Sequence, residues 1–196
     1  MRRDFEERMR WQVVQITDEV TELLDAPILL ISGSDPIEFT EAQRDKLREY
    51  SLRGGTLLFV ATRGSQRFSD SVKVVLDKLY AEQNGREPEY YELEQLDADH
   101  PLYNARAEIN SGPTRAPLWG VSDGTRLLAV LSERDIAESW QRMQTLRGSG
   151  KMDFGLGQNI WYYATGGKMM SRRMRPVFQG ASRKVRYPIR VAWVKH

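Results

Sequence analysis

Few residues of this chain combine the type and spacing that chemistry requires. The 196 residues include two histidines and no cysteine, so every thiol mechanism is excluded. His100 follows Asp97 and Asp99, and a carboxylate beside an imidazole can tune it across neutral pH. With Ser65 as nucleophile and Asp70 and Asp99 as acids, His100 completes the one candidate hydrolase set: Ser65, Asp70, Asp99 and His100. A metal reading of Asp97, Asp99 and His100 fails on ligand count, because a transition metal takes three or four ligands and no second histidine lies nearby. An aspartate before His-Pro also serves as an ordinary helix cap. Neither a metal nor a cofactor is expected.

The other candidate chemistry is binding. In open parallel sheets, ligands gather at the carboxyl ends of the strands, where helix N-termini aim free N–H groups outward. Two loops qualify, Ser32 to Pro36 and Thr62 to Ser65. The second adds Arg63 and two hydroxyls, a suitable seat for an anion or a carboxylate. Gly33, Ser34, Thr62, Arg63, Gly64 and Ser65 are therefore the ligand-binding candidates, joined by Ser132, Asp135 and Trp140 from a third loop. The competing reading of Thr62 to Ser65 is a tight turn in which Gly64 is structural and Ser65 caps the next helix. Gly148, Gly150, Gly155 and Gly157 lack the Lys-Ser/Thr ending of a phosphate loop, and the stretch Thr145 to Gly157 reads as mobile.

These residues need elements to hold them. Trp11 to Ile16 reads as a strand, and Ile28 to Ile31 and Thr56 to Ala61 are apolar runs typical of strands covered on both faces. Thr40 and Gln43 have capping-box spacing, and Gly54 with Gly55 supplies a left-handed exit, which brackets a helix over Glu41 to Arg53. Phe68, Val72, Val75, Leu76, Leu79 and Tyr80 form the apolar stripe of a second helix. Tyr90 to Leu93 is a short strand, Leu102 and Tyr103 a brief helix, and Arg106 to Pro117 a loop. Asp123 and Gly124 turn a hairpin between Leu118 to Ser122 and Leu127 to Leu131. Helices follow over Asp135 to Gln144 and Leu156 to Thr165, then a last strand over Arg186 to Val194. Strands alternating with helices predict an α/β class, a three-layer sandwich around a mainly parallel central sheet.

Composition narrows the partners. Forty per cent apolar content with a net charge of +2 suits a folded domain, and no apolar run approaches the roughly 18 residues of a membrane span. Charge is unevenly distributed, however. Residues 166–196 carry nine Lys or Arg and no acid, whereas residues 1–165 carry 20 bases against 27 acids. A basic tail can bind nucleic acid, but Pro176, Gly180 and Pro188 interrupt it and no nucleic-acid motif is present. A solvated connector answering the acidic body accounts for it better.

Several segments in combination resemble an uncharacterised bacterial family, domain of unknown function 4159, over about Trp11 to Thr165. They are Ile31 to Gly33, Arg53 to Gly55, the Gly-Ser before Phe68 and Asp70, and Asp99 to Tyr103. To these are added Arg126 to Val130 leading to Ser132, Asp135 and Trp140, and Leu156 to Ile160. The family is similar to the class I glutamine amidotransferase-like, flavodoxin-like fold, so the resemblance implies a parallel sheet with Thr62 to Ser65 standing at the elbow that carries the catalytic cysteine. Here the cysteine is missing, Thr62 and Arg63 occupy positions where relatives often have cysteines, and neither histidine begins a His-x-Glu. Without thiolate and base there is no activated nucleophile for amide hydrolysis. The resemblance also implies a parent protein that is exported or associated with the cell envelope, although the sequence itself assigns no compartment.

The expected function is a non-catalytic α/β module, residues 1–165, that binds a small anionic ligand or another domain or protein; the alternative is the serine hydrolase named above. Residues 166–196 are expected to form a basic connector and a terminal strand. That strand either completes this sheet or opens a further domain.

Overall fold

The structure, a computed structural model, describes residues 9–80, 91–109, 115–142, 148–165 and 189–194. The element order is β1 (Met9–Val14), α1 (Val20–Leu23), β2 (Ile28–Gly33), α2 (Glu41–Leu52), β3 (Thr56–Ala61), α3 (Gln66–Tyr80) and β4 (Leu93–Gln95). Then come α4 (Pro101–Asn104), β5 (Leu118–Ser122), β6 (Leu127–Ser132), α5 (Ile136–Gln141), α6 (Gly148–Ala164) and β7 (Ile189–Val194).

The chain is α/β. Five strands, β2-β3-β6-β5-β4, make a mixed sheet, which β7 and then β1 extend beyond β2. β2, β3 and β6 run parallel, so their carboxyl ends share one edge, whereas β5 is antiparallel to both β6 and β4. β7 pairs parallel with both β1 and β2 and so joins this sheet.

The apolar runs explain why the central strands are covered twice. Leu29 and Ile31 of β2, and Leu57, Phe59 and Ala61 of β3, belong to one buried cluster with residues of α1, α2 and α3. Ile28, Leu30, Leu58 and Val60 belong to a second cluster with Leu102, Ile136, Leu156 and Ile160 of α4, α5 and α6. Alternate side chains point to opposite faces of a strand, so an unbroken apolar run supplies both cores. α3 buries Phe68, Val72, Val75, Leu76, Leu79 and Tyr80; at about 1.5–3 kcal/mol per large apolar side chain, that stripe anchors it to the sheet.

Local sequence sets the ends of α2. The Thr40 hydroxyl accepts from the Gln43 N–H at 3.3 Å and the Gln43 side chain accepts from the Thr40 N–H at 2.9 Å, completing the capping box. The helix closes at Leu52, one residue before the expected Arg53, and of the two glycines that follow only Gly54 has a positive φ, +119°. Gly55 answers a different need: a Cβ there would lie 2.2 Å from Cζ of Tyr50.

Several sequence expectations change. β1 spans Met9–Val14, two residues earlier than Trp11 to Ile16 suggested. β4 begins at Leu93, later than Tyr90 to Leu93 suggested. α5 starts at Ile136 with Asp135 as its cap and ends at Gln141; residues 143–147 lie outside the described residues. The glycine-rich stretch read as mobile is helical from Gly148, because its glycines permit close packing. A Cβ on Gly157 would lie 2.7 Å from the Trp140 ring, and one on Gly155 would lie 3.0 Å from Ile109 Cδ1.

Candidate functional site

The shared carboxyl edge of β2, β3 and β6 gathers three loops. β3 ends in a 3-10 turn over Thr62–Gly64 in which Arg63 has φ 55° and ψ 22°, the one non-glycine residue with positive φ among those described. Gly64 follows at φ 68°. A left-handed conformation at a residue with a Cβ costs about 1 kcal/mol or more and persists only where the surroundings impose it. What imposes it here is Asp135. Its Oδ2 accepts from the Arg63 N–H at 2.8 Å, across 72 residues of sequence, while its Oδ1 accepts from the Glu138 N–H at 2.9 Å and caps α5.

The loop after β2 is tied in by Ser65. Its hydroxyl donates to the Ser34 carbonyl at 2.5 Å and accepts from the Phe68 N–H at 3.4 Å, so it caps α3 while bridging two loops. The Ser65 N–H in turn donates to the Thr62 carbonyl at 3.2 Å. Ser132 is buried and its hydroxyl donates to the Arg134 carbonyl at 2.7 Å, which shapes the third loop.

Charged residues that the sequence reading did not single out complete the edge. Lys73 Nζ lies 2.6 Å from Glu133 Oε1 and 4.2 Å from the centroid of the Trp119 ring. Arg134 pairs with the carboxylate of Asp153, which is buried and also accepts from the Ser139 hydroxyl at 3.0 Å. Glu133 and Arg134 could have been noticed as the charges directly following a buried strand. Their partners on α3 and α6 carry no sequence signal, because the pairing exists only once helices from both faces reach the same edge.

The hydrogen bonds made by Ser65, Asp70 and His100 join none of the candidate hydrolase set to another. The His100 Nδ1 accepts from the Leu102 N–H at 3.1 Å and caps α4. Its ring lies 5.8 Å from that of Tyr163, tilted at 46° to it, and Tyr163 is ten residues along α6 from Asp153, or about 15 Å at 1.5 Å per residue. A general base must lie within about 3 Å of the hydroxyl it serves, and the Ser65 hydroxyl hydrogen points at Ser34 instead. Asp70 is exposed and accepts from the Gln66 side chain at 2.8 Å; Asp99 is also exposed. Trp140 turns to α6, donating from Nε1 to the Asp153 carbonyl at 2.7 Å.

Burial holds the His100 pKa below its ordinary 6.5, against the upward pull of Asp97 and Asp99. The unfolded chain therefore takes up a proton that the folded chain resists, so stability is present above about pH 6.5 and is lost as pH falls below it. Melting curves between pH 8 and pH 5 should show this loss, and His100→Asn, which keeps a capping oxygen, should flatten that part of the curve. An unchanged profile in His100→Asn would mean that other groups set it.

Among the described residues, no cluster of three or more His, Asp or Glu could hold a metal ion, and no helix is long and apolar enough to cross a membrane. A family model described as a domain of unknown function (DUF4159) matches residues 2–165. No curated protein matches the chain.

Proposed function

The chain belongs to this family of domains of unknown function, and from that premise we propose that it is a non-catalytic α/β module that binds a small anionic ligand, or an acidic group on a partner, at the edge where β2, β3 and β6 end. In this reading the architecture is a three-layer, glutamine amidotransferase-like sandwich whose elbow has exchanged chemistry for binding. The observation that carries it is the Arg63–Asp135 junction. A carboxylate from another loop holds the Arg63 backbone in a left-handed turn, which fixes the base of an exposed guanidinium at the strand end. Backbone strain concentrated at one exposed residue is a recurrent property of binding sites. The Ser65 hydroxyl, engaged on both sides by loop and helix, favours binding over nucleophilic attack.

The test is a titration of inorganic phosphate and of a small dicarboxylate into wild-type protein and two variants. Arg63→Ala keeps a Cβ and hence the same backbone cost, so it removes only the guanidinium. It should weaken anion binding by about tenfold, the effect of losing one charge-assisted hydrogen bond of about 1.5 kcal/mol. The control is an exposed arginine at the other end of the strands: Arg53→Ala, at the close of α2, should bind as wild type does, within a few-fold. Equal affinity of wild type and Arg63→Ala would remove Arg63 from the site.

A further inference from the structure

β1 and β2 are consecutive in sequence but are not neighbours in the sheet. The strand between them, β7, comes from residues 189–194, beyond the 2–165 matched by the family. Without it the two strands would stand about 9–10 Å apart, twice the inter-strand spacing, with facing backbone groups unpaired on both. Ile28, Leu29, Leu30 and Ile31 on the β2 side are all buried, and buried N–H and C=O groups are almost always paired. The matched part of the chain therefore presents a slot that requires a parallel strand and does not itself contain one.

Residues 189–194 fill that gap, and we infer that it is a strand-docking slot that holds its strand by main-chain pairing on both edges, independently of the chain that leads to it. Pairing runs from Met9 with Ile189 to Val14 with Val194 on one side, and from Ile28 with Val191 to Ile31 with Val194 on the other. Strand addition of this type takes its affinity from backbone hydrogen bonds, so the seated strand does not depend on the connector once it is in place. The charge distribution favours the same occupant: residues 166–196 carry nine bases and no acid, against a net −7 over residues 1–165.

The experiment uses the full chain with a specific protease site inserted between Gly166 and Gly167. After cutting, the tail should co-elute with the body in gel filtration, and a labelled synthetic peptide spanning residues 186–196 should exchange into the cut protein but not the uncut one. Separation of the tail with an unchanged melting curve for the body would overturn the inference, as would unfolding of the body on cutting. A second arm uses Gln12→Cys with Ala192→Cys, which are register partners in a chain without native cysteine. Oxidation of the double variant should give a disulfide within one chain. Failure of that bond to form, or a disulfide between chains when the two single variants are mixed, would also defeat the inference.

Discussion

Gly55→Ala should lower the melting temperature by about 10 °C, from a destabilisation of about 3–4 kcal/mol. The added methyl would sit 2.2 Å from Cζ of Tyr50 and 2.3 Å from Cε1, well inside any permitted contact. Tyr50 cannot easily retreat: it is fully buried, and its hydroxyl donates to the Ala26 carbonyl at 2.8 Å. Displacing the ring would break that bond and open the core between α2 and β2. Gly54→Ala provides the contrast, because Gly54 has φ +119° with nothing within 4 Å of a Cβ, so only backbone strain of roughly 1 kcal/mol opposes the change. Thermal melts of the two variants check the ranking, and a Gly54→Ala loss equal to or above that of Gly55→Ala would refute it.

Asn159→Ala should cost about 3–5 kcal/mol, since three hydrogen bonds are lost from a fully buried side chain. Asn159 Oδ1 accepts from the Arg106 N–H at 2.9 Å and the Ala107 N–H at 2.7 Å, and Nδ2 donates to the Ala107 carbonyl at 2.7 Å. That one amide fastens the segment after α4 to α6. Asn159→Asp should fall between wild type and Asn159→Ala, because it keeps both acceptor bonds but turns a carboxylate oxygen toward the Ala107 carbonyl. Chemical denaturation gives the stability, and hydrogen exchange gives the location: the Ala107 amide should exchange far faster in Asn159→Ala. Continued protection of that amide would show that the segment is held by something else.

Both predictions concern residues that stood out in the sequence for another reason. Arg53 to Gly55 and Leu156 to Ile160 carried the family resemblance, and the structure gives Gly55 a packing role and Asn159 a clamping one. Arg126, in a third such segment, donates to the Gly55 carbonyl at 3.0 Å and to the Ser51 carbonyl, closing the C-terminal end of α2. Much of the resemblance is therefore carried by residues that hold the fold together.

Read alone, the sequence was sufficient wherever the controlling forces act within a few residues. The capping box at Thr40 and Gln43, the α3 stripe, the Asp123–Gly124 turn and the doubly covered runs in β2 and β3 follow from local hydrogen bonding and side-chain period. From these the α/β class follows, as does the placing of Ser34, Arg63 and Asp135 at strand ends. It was not sufficient where two distant segments meet. The glycines of α6 resemble loop residues until Trp140 and Ile109 are packed against them. His100 resembles a catalytic base until α4 sets it on Tyr163. Asp135 resembles an ordinary cap until it also holds Arg63 across the sheet, and β7 has no marked destination until β1 and β2 leave it a gap. Tertiary structure alone decided these, because each depends on the distance between residues far apart in the chain, which composition and spacing do not encode.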